Sequence, residues 1–233
     1  MGRVMVGAAL AAALFLGGCA TQPLPLDTTQ AMPDMHRQAA IPAGFISFCL
    51  RFTDQCRPSA TDVILLNSQS WKTLTQVNRD VNNAIWPEDD IVHYGRAEYW
   101  TIPTDARGDC DDYAVTKRKD LIDAGFPSGA LRLAVVYSQA SGRHAVLTVA
   151  TDKGDFVLDN LANDVKAWND TGYMWIERQD GSDPFKWVSL QTPLQAAQAD
   201  GENLATAAIT PDSVPAPPPV TASTPAAGSQ AVP

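Results

Sequence analysis

Cationic side chains are what this sequence is short of. It sets 17 lysines and arginines against 26 aspartates and glutamates, a formal net charge of −9 over 233 residues. Nucleic acid and anionic membrane surfaces select a basic face, so neither is an expected partner. Long apolar runs are missing too. The N-terminal run VMVGAALAAALFL (4–16) has signal-peptide length and is too short to be read as a membrane span. There is no internal repeat. Histidine is scarce, at three residues (His36, His93 and His144), and cysteine comes to four. What remains is ordinary for a globular chain, 45% hydrophobic and 18% charged, long enough for one domain with a core plus tails.

The apolar run follows Arg3 and ends in LGGC at Cys19. Small residues directly before a cysteine resemble a bacterial lipobox. The expectation is a lipoprotein signal peptide over 1–19, cleavage before Cys19 and lipid on its sulfur. The mature protein then sits in the periplasm, anchored to the outer membrane by lipid alone. That compartment is oxidising, so Cys49 and Cys56, close together in FCLRFTDQC, are expected to bridge. Closing so short a loop contributes about 2 kcal/mol on the chain-entropy model. Cys110 is left unpaired, which in an exported protein flags a reactive thiol.

Residues 20–41 are polar and broken by proline, the composition of a tether. From 193 to 233 Ala, Gln, Thr and Pro take over, and a disordered tail is expected. A domain over 42–192 lies between. Within it Leu74, Val77, Val81 and Ile85 fall at helical spacing, with Ser70 as N-cap and Pro87 as stop. EDDIVHYGRAEYW reads as loop. A second helix starts at or just after Cys110, with Ala114, Leu121 and Ile122 as its apolar stripe, Lys117 to Lys119 solvated and Gly125 closing it. Then the period changes to 2. LRLAVVYS (131–138), RHAVLTVA (143–150) and DFVLDNL (155–161) read as an antiparallel meander packed on that helix. Helices followed by strands imply α+β.

Cys110 at a helix N-terminus, His144 on the second strand and Asp159 at the end of the third form a nucleophile, base and orienter in that order. Pairing through the DKGD turn brings Asp159 up to His144. The backbone N–H of Cys110 is the natural oxyanion donor. Asp109, Asp111 and Asp112 complicate this, because negative charge beside a thiolate raises its pKa. Two readings of the acidic trio stand side by side: a bound hard cation, or a helix cap with favourable dipole charges. His93, Glu98, Tyr99 and Trp100 are candidates for the cleft wall, and the tryptophans downstream are expected in the core with Tyr173.

GDCDDYA with YW ten residues upstream, RHAVLTV, DFVLDNL, VNRDVNNAIWP, GYMWIERQ and KWVSL together resemble the bacterial transglutaminase-like cysteine proteinase family. The likeness runs from about Phe45 to Leu190. It implies a papain-like, transglutaminase-like α+β core with the nucleophile at a helix N-terminus packed on an antiparallel sheet. It implies Cys110, His144 and Asp159 as the catalytic set and calcium bound through Asp109 and Asp111. Calcium-dependent members usually read DCE; here DCD shortens the reach of Asp111 by one methylene. The resemblance further implies proteolysis of a cell-envelope or surface protein such as an adhesin, and an inner-membrane receptor as a regulatory partner. Two alternatives stay open: a transglutaminase, in which an amine rather than water opens the acyl-enzyme, and an idle module that binds calcium or protein.

Overall fold

The computed structural model describes residues 22–25, 28–33, 37–191 and 195. The expected signal peptide with Cys19, His36, and the expected tail apart from Gln195 lie outside the described residues. In chain order, β1 (Gln38–Ala39), α1 (Ala43–Arg51), α2 (Ser68–Ala84), β2 (Trp86–Pro87), α3 (Asp90–His93), β3 (Arg107–Gly108) and α4 (Cys110–Asp123) come first. Six strands follow: β4 (Leu131–Ser138), β5 (Gly142–Thr151), β6 (Gly154–Asp159), β7 (Ala162–Ala167), β8 (Met174–Gln179) and β9 (Trp187–Ser189). The class is α+β. Among the described residues no helix is long and apolar enough to cross a membrane.

The sheet has seven strands in the order β1-β9-β8-β4-β5-β6-β7, every neighbouring pair antiparallel. Period-2 alternation splits its side chains into two sets. Leu133, Val135, Leu147, Val149, Phe156 and Leu158 meet the helices in the main core. Ala134, Val136, Val146 and Val157 face the other way, under Trp168, Tyr173 and Trp175. The expected three-strand meander is therefore the centre of a larger sheet. The strands β7, β8 and β9 were not legible because their burial patterns are mixed or their runs too short.

α2 starts one turn earlier than its apolar spacing suggests. Asn67 caps it, accepting from the backbone of Gln69 and Ser70, while Ser70 bonds back to the Asn67 N–H. Ser70 is thus the third residue of a capping box rather than the cap. α1 carries Phe45 and Phe48 into the core, where Phe45 meets Trp100 and Trp187 edge-on. Cys49 at its last turn is disulfide-bonded to Cys56. On α4, Lys117 and Arg118 are not solvated but buried. The helix packs against α2 and the sheet, which cover Lys117 and Arg118, while Lys119, Asp120 and Asp123 stay open to solvent. Arg118 answers this by donating to the carbonyls of Leu131 (3.0 Å) and Gln55.

The tether expected over 20–41 is, in its described part, a belt along the sheet. Gln22 bonds both backbone groups of Val165 on the edge strand β7, at 2.7 and 3.0 Å. Leu24 packs on the core, and the Thr29 N–H donates to Lys153 O. Met32 is buried, and its N–H donates to Asp155. The chain then joins the opposite edge as β1, paired with β9. Polar composition suggested a free linker, but amide groups are what a bare strand edge needs.

Gly154 sits at the turn between β5 and β6 with φ +104, and a Cβ there would overlap Thr29 of the belt. Gly154→Ala is expected to lower the unfolding free energy by about 1–3 kcal/mol. In a chain beginning at residue 34 the same substitution should cost less, since Thr29 is gone. Urea titration of the four proteins checks this; equal costs in both backgrounds would show that the belt does not press on the turn.

Candidate active site

α4 begins at Cys110 because Asp109 is extended (φ −104, ψ −167) and its carboxylate caps the Asp111 N–H at 3.4 Å. The Cys110 thiol is half-buried, and its Sγ accepts the N–H of Ala145 at 3.4 Å. That N–H is open for a topological reason. The last β5–β6 pairing is Leu147↔Leu158 and β6 stops at Asp159. The sulfur occupies the gap that a longer β6 would have filled, beside the residue that follows His144.

His144 pairs with Val136 of β4 and its ring meets Tyr173 edge-on, so it shares a sheet face with Val136 and Val146. Its Nε2 lies 2.8 Å from Asp159 Oδ1, and both residues are buried. Asp159 Oδ1 also accepts the Leu161 N–H at 3.0 Å, and Oδ2 accepts the Tyr173 hydroxyl. Asn82 of α2 donates to the Asp159 carbonyl at 2.9 Å. Burial works to raise the Asp159 pKa, but the bonds from His144, Tyr173 and Leu161 hold it below the usual carboxylate value. The structure thus joins His144 to Asp159 and sets the Cys110 sulfur against the backbone next to His144. Tyr173, expected as core, touches this group. Its hydroxyl gave no periodic signal.

The acids are deeper than the sequence suggested. Asp111 is 4% exposed and Asp112 fully buried, and Asp90 on α3 joins them at 3%. Gly108 lets Asp112 come close, since a Cβ there would overlap its carboxylate. Asp112 accepts the Thr101 N–H at 2.6 Å, and Asp90 accepts the Tyr99 N–H. Two groups result, each with ligand atoms within 4.8 Å of one another: Asp109 with Cys110 and Asp111, and Asp90 with Asp109 and Asp112. Asp90 Oδ1, Asp111 Oδ2 and Asp112 Oδ2 are buried with no hydrogen-bond partner. Unpaired buried carboxylate oxygens fit a hard cation. Burial raises the pKa of Asp90, raises Asp111 well above the usual range and brings Asp112 up to about 8. Burial, then the Asp111 charge, also pushes the Cys110 thiol up.

Of the other candidates, Trp100 is core, edge-on to Phe45, and its indole N–H reaches Glu98 at 3.2 Å. Glu98 itself is exposed with a left-handed backbone, φ 60. His93 stacks on Tyr94 and bonds Asp105 at 2.8 Å. Lys117, two turns after Cys110, is wholly buried with no hydrogen-bond partner for Nζ; burial brings its pKa down to about 7.

Residues 35–195 match the family model described as bacterial transglutaminase-like cysteine proteinase. Among solved structures, the chain is similar to Legionella pneumophila LapG in its calcium-bound form, at 22% identity and TM-score 0.44, covering 56% of this chain and 78% of that one. A second LapG structure gives 22% identity and TM-score 0.43, with 55% and 73% covered. The EGTA-treated form gives 25% and 0.40, with 46% of this chain and 61%, less than two thirds, of that one covered. No curated protein matches the sequence.

A carboxyl whose folded pKa is raised holds a proton that the unfolded chain releases. Its stabilising effect is complete below the ordinary value of 3.8 and is lost as pH rises to about 8 for Asp112. In cation-free buffer the melting temperature should fall across that window. Asp112→Asn, which keeps an acceptor for Thr101, should flatten the fall. Identical pH profiles for the two proteins would refute the raised Asp112.

Proposed function

We propose, from the premise that this chain belongs to the bacterial transglutaminase-like cysteine proteinase family, that it is an exported endopeptidase cutting a peptide bond in a cell-envelope or surface protein. The observation that carries this reading is the 2.8 Å contact between His144 and Asp159 beside a half-buried thiol at a helix N-terminus. With Nε2 engaged by Asp159, proton exchange with the thiol falls to Nδ1. Cys110 gives its proton to His144 and its sulfur attacks the carbonyl carbon. The oxyanion takes the Cys110 N–H, one of the first-turn donors a helix leaves without an internal partner. Collapse of the tetrahedral species breaks the C–N bond as His144 protonates the leaving amine. Water, deprotonated by His144, then opens the thioester and restores the thiol.

Calcium is proposed at Asp90, Asp109 and Asp112. The alternative set, Asp109 with Asp111, brings in the Cys110 sulfur, a soft donor that a hard cation avoids. A calcium ion held there supplies positive charge against carboxylates that otherwise oppose a thiolate. A lipid anchor at Cys19, a periplasmic location at the outer membrane and an inner-membrane regulatory receptor complete the proposal, resting on the leader sequence and the family resemblance.

Iodoacetamide at neutral pH should label Cys110 quickly, and His144→Ala should slow labelling by about a hundredfold or more. Labelling at an ordinary free-thiol rate in both would leave an idle module. With envelope proteins and a labelled amine present together, cleavage is expected; amine incorporation without cleavage would make the enzyme a transglutaminase instead.

Calorimetry should detect calcium binding that Asp109→Ala abolishes and Asp112→Asn weakens strongly, with Asp111→Asn near wild type. No heat in the wild type would remove the cation. Loss confined to Asp109→Ala and Asp111→Asn would move it to the other group.

A further inference from the structure

We propose that Tyr173 is a positioning residue for this reaction, fixing Asp159 so that the carboxylate holds His144 in one tautomer and one ring orientation. The inference rests on the catalytic reading of Cys110, His144 and Asp159 given above.

The hydrogen bonds divide unevenly between the two Asp159 oxygens. Oδ1 receives both His144 Nε2 and the Leu161 N–H, while Oδ2 receives the Tyr173 hydroxyl. An aspartate's terminal torsion is soft, so one loaded oxygen does not stop the carboxylate rotating. A donor on the second oxygen does. Without it a buried acceptor loses its partner, which favours reorientation of the group and, with it, of the imidazole. The ring of Tyr173 adds a second restraint: it stands edge-on to His144, with centroids 5.9 Å apart and planes at 73°. One side chain thus contacts both the orienting acid and the base.

Its own placement is well defined. Tyr173 follows Gly172, which turns the chain at φ +72, and its N–H bonds Thr171 Oγ1 at 3.3 Å. The next residue opens β8, which pairs with β4. The hydroxyl therefore ties the segment entering β8 to the end of β6, with β4 and β5 between them in the sheet order. Burial and the neighbouring Asp159 charge raise the phenol's pKa, so it stays a donor across the working range. A packing role alone would need only the ring, which packs on the cluster of Ala134, Val136, Val146 and Val157. It would not need a hydroxyl aimed at Asp159.

Tyr173→Phe keeps the ring and removes the hydrogen bond. It should melt close to wild type yet slow iodoacetamide labelling of Cys110 by about tenfold. In an Asp159→Ala background the same substitution should change the rate no further. Proton NMR of the full chain should show the imidazole N–H shared by His144 and Asp159 as a sharp downfield signal in wild type, broadened in Tyr173→Phe. Wild-type labelling with an unchanged signal would overturn the proposal. So would equal slowing with and without Asp159, which would mark a packing effect. If His144→Ala labels as fast as wild type, the catalytic reading has failed, independently of Tyr173.

Discussion

The hydrogen bond between His144 and Asp159 is possible only because β6 stops where it does. Two residues 15 apart in sequence meet because a tight turn at Gly154 returns the chain antiparallel, in a register that pairs Leu147 with Leu158. Ending β6 at Asp159 does two further things. It frees the Asp159 side chain to turn toward the imidazole, and it leaves the Ala145 N–H without a strand partner, so that Cys110 Sγ accepts it. Because side-chain direction alternates along a strand, a one-residue slip would reverse every face. It would turn Leu147 out of the main core and take His144 off the face it shares with Tyr173. The apolar residues that fill both faces therefore hold the polar contact in place as firmly as its own hydrogen bond does.

Around the thiol the electrostatics run against reactivity. Burial acts most strongly on the sulfur, and the charges of Asp111 and Asp109 on either side add to it. A helix N-terminus favours negative charge, but its contribution, about 0.3–2 kcal/mol, is small beside the cost of burying Asp90, Asp111 and Asp112, each with one oxygen unpartnered. Two states relieve that cost: protons on the acids, or a cation among them. The first leaves the thiol protonated as well. The second supplies charge where the proposed chemistry needs it. Within the acidic trio the helix cap is seen directly at Asp109, and the proposed cation would draw on Asp90 as well. Asp109 caps the helix, while Asp90 and Asp112 anchor the backbone of Tyr99 and Thr101 and keep one oxygen each in reserve.

The sequence was most informative where one physical period ran uninterrupted. The strands at 131–138, 142–151 and 154–159 alternate cleanly and were legible within a residue or two, and α2 keeps its apolar spacing for several turns, although it starts a turn before that spacing does. Cys110 at a helix start and Asp159 close to His144 followed from those elements. Legibility ended where tertiary context overrode local pattern. Lys117 reads as solvated because lysine usually is; no local signal says that α2 and the sheet cover that face. Asp90 lies 19 residues before Asp109, in a stretch without period, and only the folded chain brings the two together. Tyr173 sits among aromatic residues that belong in a core, and its ring does pack there, so its hydroxyl was invisible. The belt was misread because polar, proline-containing sequence is equally suited to a free linker and to an edge strand's missing partner.

α4 shows how these facts combine. Its apolar stripe is narrow, and Asp111, Asp112, Lys117 and Arg118 are all buried along it. A helix of this kind gains less from apolar burial than its neighbours do. The surrounding core, with Phe45, Phe48, Leu74, Trp100 and Trp187 each contributing about 1.5–3 kcal/mol by burial, has to offset it. In exchange its axial position is sharply defined. Asp112 accepts from Thr101, Arg118 donates to Leu131 and Gln55, and Tyr113 donates to Ile85. Sliding the helix by one residue would leave all of these groups buried and unbonded, whereas an apolar face tolerates small shifts at little cost. The polar contacts that weaken α4 as a core element are therefore the ones that fix the sulfur of its first residue opposite the open end of β5.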